Sequence, residues 1–132
     1  DLHSFPTRRS SDLIGNGTSS TRANALRVDR QGNTVIAGNY TQSSDRRLKD
    51  HISYLDEDAV DFIDKLKPAY YTKDGKKHLG FYAQDVAKID KWDCMTGEMN
   101  GYMTLGYTEL IAPLVKYCQR LEERIAELER SK

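Results

Sequence analysis

From position 107 onward, apolar residues recur alternately four and three places apart: Tyr107, Ile111, Leu114, Cys118, Leu121, Ile125 and Leu128. That spacing is the a/d seam of a heptad repeat. Glu122, Glu123, Arg124, Glu127, Glu129 and Arg130 occupy the flanks, so the spacing predicts a long C-terminal helix, polar everywhere except along one stripe. About half of the stripe is expected to lie on the chain's own core. Beyond Cys118 little of the chain is left to cover it, which favours association with other copies.

Earlier in the chain the pattern is shorter in range. Leu26 and Val28 share one face of a strand, Arg30 to Asn33 reads as a turn, and Thr34 to Tyr40 reads as a second strand weakened by Gly38. Ile14 to Ser20 is loop-like in composition. Two short strands cannot bury a core alone, which suits the end of an intertwined fibre stalk completed by strands from other subunits. Thr41 to Ser44 is polar and separates this hairpin from a helical pattern. Asp56 to Asp58 supplies negative charge at a helix start, Val60, Ile63 and Leu66 follow at helical spacing beside Phe62, and Pro68 ends the element. Ala69 to Thr72 and His78 to Tyr82 read as strands joined by a turn at Lys73 to Lys76, and Ala83 to Ile89 reads as a further helix.

Composition changes this picture in three ways. Asp1 to Leu13, back-translated codon by codon, resembles a common sequencing-library adapter, so these residues are set aside from the fold. The remainder is one domain's worth of chain and short of apolar residues, at 38% hydrophobic and 30% charged overall, so partners are expected to stabilise it. Twenty basic residues face twenty acidic ones, and this balance gives no reason to expect nucleic acid or a membrane as partner. No apolar run approaches a membrane span, which takes about 20 residues. Cys94 and Cys118 lack the pair spacing of a metal site and are read as reduced thiols, with no metal and no cofactor expected.

Ser44 and Lys49 are five residues apart. On a strand they would point to opposite faces, and on a helix they would lie about 140° apart. Only a bend at Asp45 or Arg46 brings them together. A lysine held against a serine hydroxyl in a dry site acts as its general base once burial lowers the amine's pKa.

The stretch Ser44-Asp45-Arg46-Arg47-Leu48-Lys49-Asp50-His51-Ile52 resembles the Ser-Asp-x-Arg-Leu-Lys-x-x-Ile signature that opens the C-terminal intramolecular chaperone domain of phage endosialidase tailspikes and related tail fibres. Further resemblances follow in order: Lys77 to Gln84 to a Gly-Phe-x-Ala-Gln segment, Asp90-Lys91-Trp92-Asp93 to an endosialidase motif, and the terminal helix to one that begins Tyr-x-x-Leu. The resemblance implies a self-cleaving dyad of Ser44 and Lys49, with His78 also required for cleavage. Asp45 either tunes the site or caps the turn, and Gln84 is a supporting hydrogen-bonder. His51 matches no motif.

The expected architecture is α+β: a short β-stalk end at 14–43, then a small mixed α/β domain at 44–132 whose coiled-coil helix starts near 107, assembled as a homotrimer. The expected function is an intramolecular chaperone that trimerises a tail fibre or tailspike, with the covalently attached upstream fibre as its folding client. It then releases itself by autoproteolysis at Ser44. The scissile bond stays open between Ser43–Ser44 and Ser44–Asp45. Attack on Ser44's own carbonyl would need a four-membered ring, whereas the resemblance favours the bond to Asp45. The expected location is a virion fibre precursor, with the chaperone part released in the host cytoplasm. The competing readings are a fibre tip that trimerises without cleaving and a peptidase acting on other proteins.

Overall fold

The computed structural model describes residues 11–15, 17 and 23–132. Most of the stretch set aside as foreign, residues 1–10, therefore lies outside the described residues. The chain divides into two compact units, Asp1–His51 and Ile52–Lys132. Every residue from Gly32 to Tyr54 is exposed.

In the first unit, β1 (Ser11–Gly15), β2 (Asn24–Asp29) and β3 (Thr34–Ile36) form an antiparallel meander in that order. Ile14 pairs with Leu26, and Leu26 with Ile36, so the apolar positions fall on one face. β1 begins inside the excluded stretch and takes Ile14 and Gly15 out of the loop expected there. The β2–β3 turn is the expected one. Its Gly32 has φ +83°, and the Asp29 carboxylate accepts from the backbone N–H groups of Gln31 and Asn33, each at 2.9 Å. β3 stops at Ile36, short of the expected Tyr40, and Val35 and Ile36 remain 53% and 42% exposed.

The second unit contains α1 (Glu57–Lys65), a hairpin of β4 (Ala69–Lys73) and β5 (Lys76–Gly80), α2 (Ala83–Ile89), a hairpin of β6 (Thr96–Met99) and β7 (Tyr102–Leu105), and α3 (Ile111–Arg130). The fold is thus α+β, with small two-stranded sheets and a long terminal helix. Asp74 and Gly75 (φ +52° and +75°) and Asn100 and Gly101 (φ +54° and +82°) close the two hairpins in the left-handed conformation that two-residue turns require. Phe62, Val86, Met95 and Leu110 form the core, with Ile63, Leu66, Phe81, Ile89, Trp92 and Leu105 around it. Trp92 meets Phe62 edge to face at 5.4 Å. The Asp90 carboxylate holds the loop carrying Trp92, accepting from the N–H groups of Trp92 (3.0 Å), Cys94 (3.0 Å) and Met95 (2.9 Å).

α3 packs on α1, but not through its apolar stripe. Pro113 is buried, Lys116, Tyr117 and Arg120 are half-buried, the Tyr117 hydroxyl reaches Asp64 at 3.5 Å, and Arg120 pairs with Glu57 at 3.2 Å. Pro113, Tyr117 and Arg120 each precede a stripe residue by one position, a rotation of about 100° around the helix. The stripe itself faces outward, with Ile111 60%, Leu114 51%, Ile125 50% and Leu128 66% exposed. The expectation that half of it packs on the chain's own core is therefore corrected: Tyr107 stands against Phe81, whereas the stripe within α3 stays exposed and the helix meets α1 through Tyr117 and Arg120.

Candidate functional site

Ser44 ends an exposed run without regular secondary structure, and the chain then turns sharply. Asp45 starts the turn: its backbone is extended (φ −65°, ψ 134°) and its carboxylate accepts from the Arg47 N–H at 2.8 Å. Residues Arg46–Leu48 form one turn of 3-10 helix, closed by N–H donation from Leu48 to the Asp45 carbonyl at 3.0 Å and from Lys49 to the Arg46 carbonyl at 3.1 Å. Lys49 leaves the turn extended, at φ −121° and ψ 139°. With about 3.0 residues per turn, this helix is tighter than an α-helix, and it folds Lys49 back onto the residue preceding the turn. The Lys49 ammonium donates to Ser44 Oγ at 2.6 Å.

That contact works in either protonation state. A charged Nζ donates to Oγ, whereas a neutral Nζ accepts the hydroxyl proton, which is the polarity a general base needs. Asp45 is committed to the turn. Its carboxylate also binds the Arg47 guanidinium at 2.8 Å, and the Arg47 side chain, followed by the Arg47 N–H, holds its pKa below the usual carboxylate value. Ser43, Ser44 and Lys49 are all exposed, so the dry surroundings expected for the pair are not supplied by these residues alone.

His78 and Gln84 belong to the second unit. His78 stands opposite Tyr71 in the β4–β5 register, and their rings stack at 5.6 Å with 25° between planes. Gln84, in the first turn of α2, is exposed and lines a cavity of about 590 Å³ together with Tyr71, Tyr82, Thr104 and Tyr107. Tyr71 thus stacks on His78 and lines the same cavity as Gln84.

Three structural residues escaped sequence reasoning. Tyr107, assigned to the helical stripe, instead turns its hydroxyl to the backbone that follows β5, where it accepts from the Phe81 N–H at 3.2 Å. Gly80 provides the room for it. Asp90, seen only as part of a motif, organises its loop through backbone N–H groups, and nothing in its sequence context distinguishes it from a surface carboxylate.

Residues 44–94 match the model of the peptidase family described as chaperone of endosialidase. The match opens on Ser44 and takes in Lys49, His78, Gln84 and Asp90. Among solved structures, the chain is similar to the carboxy-terminal domain of the bacteriophage T5 L-shaped tail fibre with its intramolecular chaperone domain. The identity is 16%, the TM-score is 0.43, and the likeness covers 90% of this chain and 44% of that one. This chain therefore spans less than half the length of that relative. No curated protein matches the chain.

Proposed function

We propose that the chain carries an intramolecular chaperone that assembles a phage tail fibre or tailspike as a trimer and then releases itself by cutting beside Ser44. The observation that carries this reading is the 2.6 Å contact between Lys49 Nζ and Ser44 Oγ, at the residue where the family match begins. In the cleavage step Ser44 Oγ bonds to a neighbouring carbonyl carbon as Lys49 takes the hydroxyl proton. The tetrahedral intermediate collapses to an ester, the leaving amine takes the proton back from Lys49, and water hydrolyses the ester. Both the Ser43–Ser44 and the Ser44–Asp45 bonds remain candidates. His78 serves this reaction by orienting Ser44 or stabilising the oxyanion, and Gln84 supports it.

The uncovered seam supports association. In heptad register Ile111, Cys118 and Ile125 occupy a, and Leu114, Leu121 and Leu128 occupy d. β-Branched a with leucine d also suits two strands, so the order of three rests on the resemblance to trimeric fibres, and sedimentation decides it. The half-exposed β1–β3 sheet fits the end of a stalk whose remaining strands come from other copies, with the boundary before Ser44. Interwoven strands pair non-locally and slowly, so a trimerising domain that raises their local concentration speeds registration. Cleavage then leaves a product that cannot readily refold, and its stability becomes kinetic. The released part would remain in the host cytoplasm and the fibre in the virion.

The test is the mass of the purified chain as wild type, Ser44→Ala and Lys49→Arg, each checked for assembly. Two fragments from wild type alone are expected, and their masses identify the bond. Arginine keeps the charge but does not deprotonate, so it preserves a salt bridge and removes a base. If assembled Lys49→Arg cleaves at the wild-type rate, the dyad is wrong. If wild type stays intact, the rival reading of a non-cleaving fibre tip replaces this one, and the solvent exposure of Ser44 and Lys49 favours that rival.

A further inference from the structure

A groove of about 350 Å³ lies beside the start of α3, between that helix, the end of α1 and the residue that follows β5. Leu66, Phe81, Leu110, Ile111 and Leu114 give it apolar walls. Ile111 and Leu114 also hold the first a and d positions of the seam within α3, so groove and seam form one continuous surface. In the same register Leu110, Tyr117 and Arg124 hold g, and Val115, Glu122 and Glu129 hold e. The groove lies on the g flank, the side on which Tyr117 reaches Asp64 of α1.

The two flanks of α3 differ in a way that selects an orientation. Parallel helices in register set each g residue against the e residue five positions later on the neighbour. The pairs are then Leu110 with Val115, Tyr117 with Glu122, and Arg124 with Glu129. Apolar meets apolar at the groove, and base meets acid at the far end. Val115 is 49% exposed in its own chain. Arg120 finds Glu57 and Glu123 within the chain, whereas Arg124 and Glu129 have no ion partner among the described residues. An antiparallel neighbour would set e against e, so that Val115 would face a glutamate.

We propose that a second copy of this chain, parallel and in register, fills the groove with its Val115 and pairs its Glu129 with Arg124. This rests on the reading that copies associate along the α3 seam, and it adds the direction and the anchor. The relation of g to e is the same for two copies or three. The apolar pair sits where the seam meets the folded unit and fixes where the coil starts.

The test uses the full chain with Ser44→Ala, so that it stays intact, and reads association by sedimentation. Val115→Ser should weaken association by about tenfold or more, the loss expected when a valine is no longer buried. Helix content should hold, because serine and valine have similar helix propensities. Arg124→Glu and Glu129→Arg should each weaken association by about two- to fivefold, and the double variant should recover it, as a pair between copies requires. Should Val115→Ser disturb the helix, the charge reversals, which lie away from the groove, still decide the orientation. If the parent associates and Val115→Ser associates equally well, the groove is not the docking site. If the double reversal is no better than either single one, the parallel register is overturned. A parent that stays monomeric at about tens of micromolar removes the seam reading, and this proposal falls with it.

Discussion

The hydroxyl of Tyr107 occupies the space into which a side chain on residue 80 would project: a Cβ built on Gly80 would collide with it. Glycine at this position is therefore a packing requirement. Gly80→Ala should push Tyr107 off the hairpin, break its bond with the Phe81 N–H and cost about 1–3 kcal/mol, as overpacking does. Thermal unfolding of the variant checks the cost. The double variant Gly80→Ala with Tyr107→Phe should recover part of it, because the phenylalanine lacks the colliding oxygen.

Asp90→Ala should destabilise the second unit by more than an average surface substitution. It orphans three backbone N–H donors at once, those of Trp92, Cys94 and Met95, and loosens the loop that brings Trp92 against Phe62. An unpaired donor shielded from water costs about 1–3 kcal/mol, and water will satisfy part of this set, so a total near the upper end of that range is expected in urea unfolding. Asp90→Asn, which keeps an acceptor oxygen, should lose less.

Replacing Leu121 and Ile125 by asparagine should dissociate the assembly and leave the α1–α3 contact intact. That contact uses Tyr117 and Arg120, on a different side of the helix. Sedimentation at about tens of micromolar should show monomers for this variant and an oligomer for the parent, since association is governed by concentration. A parent that is monomeric under the same conditions would remove the seam from the proposal.

Deleting residues 1–13 removes the Ser11, Asp12 and Leu13 pairings of β1 with β2. If that strand is an adapter-encoded substitute for natural sequence, its loss should leave cleavage and the unfolding of the second unit unchanged. A fall in either would show that these residues belong to the protein.

What the sequence determined by itself is what depends on near neighbours. Negative charge and Pro68 bracket α1, Asp74-Gly75 supplies the left-handed turn of the β4–β5 hairpin, and α2 lies where its pattern places it. The bend needed between Ser44 and Lys49 was legible for the same reason, because one 3-10 turn makes it from adjacent residues. The Asn100-Gly101 turn carries an equally strong local signal, but Gly97 and Glu98 dilute the alternation of β6 that would frame it as a hairpin. Only the tertiary structure decided which side of α3 faces home, since hydrophobic periodicity marks the seam and ignores Tyr117 and Arg120, which meet Asp64 and Glu57 of α1. It also decided that the Tyr107 hydroxyl accepts from the Phe81 N–H, and that Asp90 gathers its three donors. Apolar burial is non-directional and leaves a period along the chain, whereas a hydrogen bond depends on where the folded backbone carries a donor, which no local pattern records.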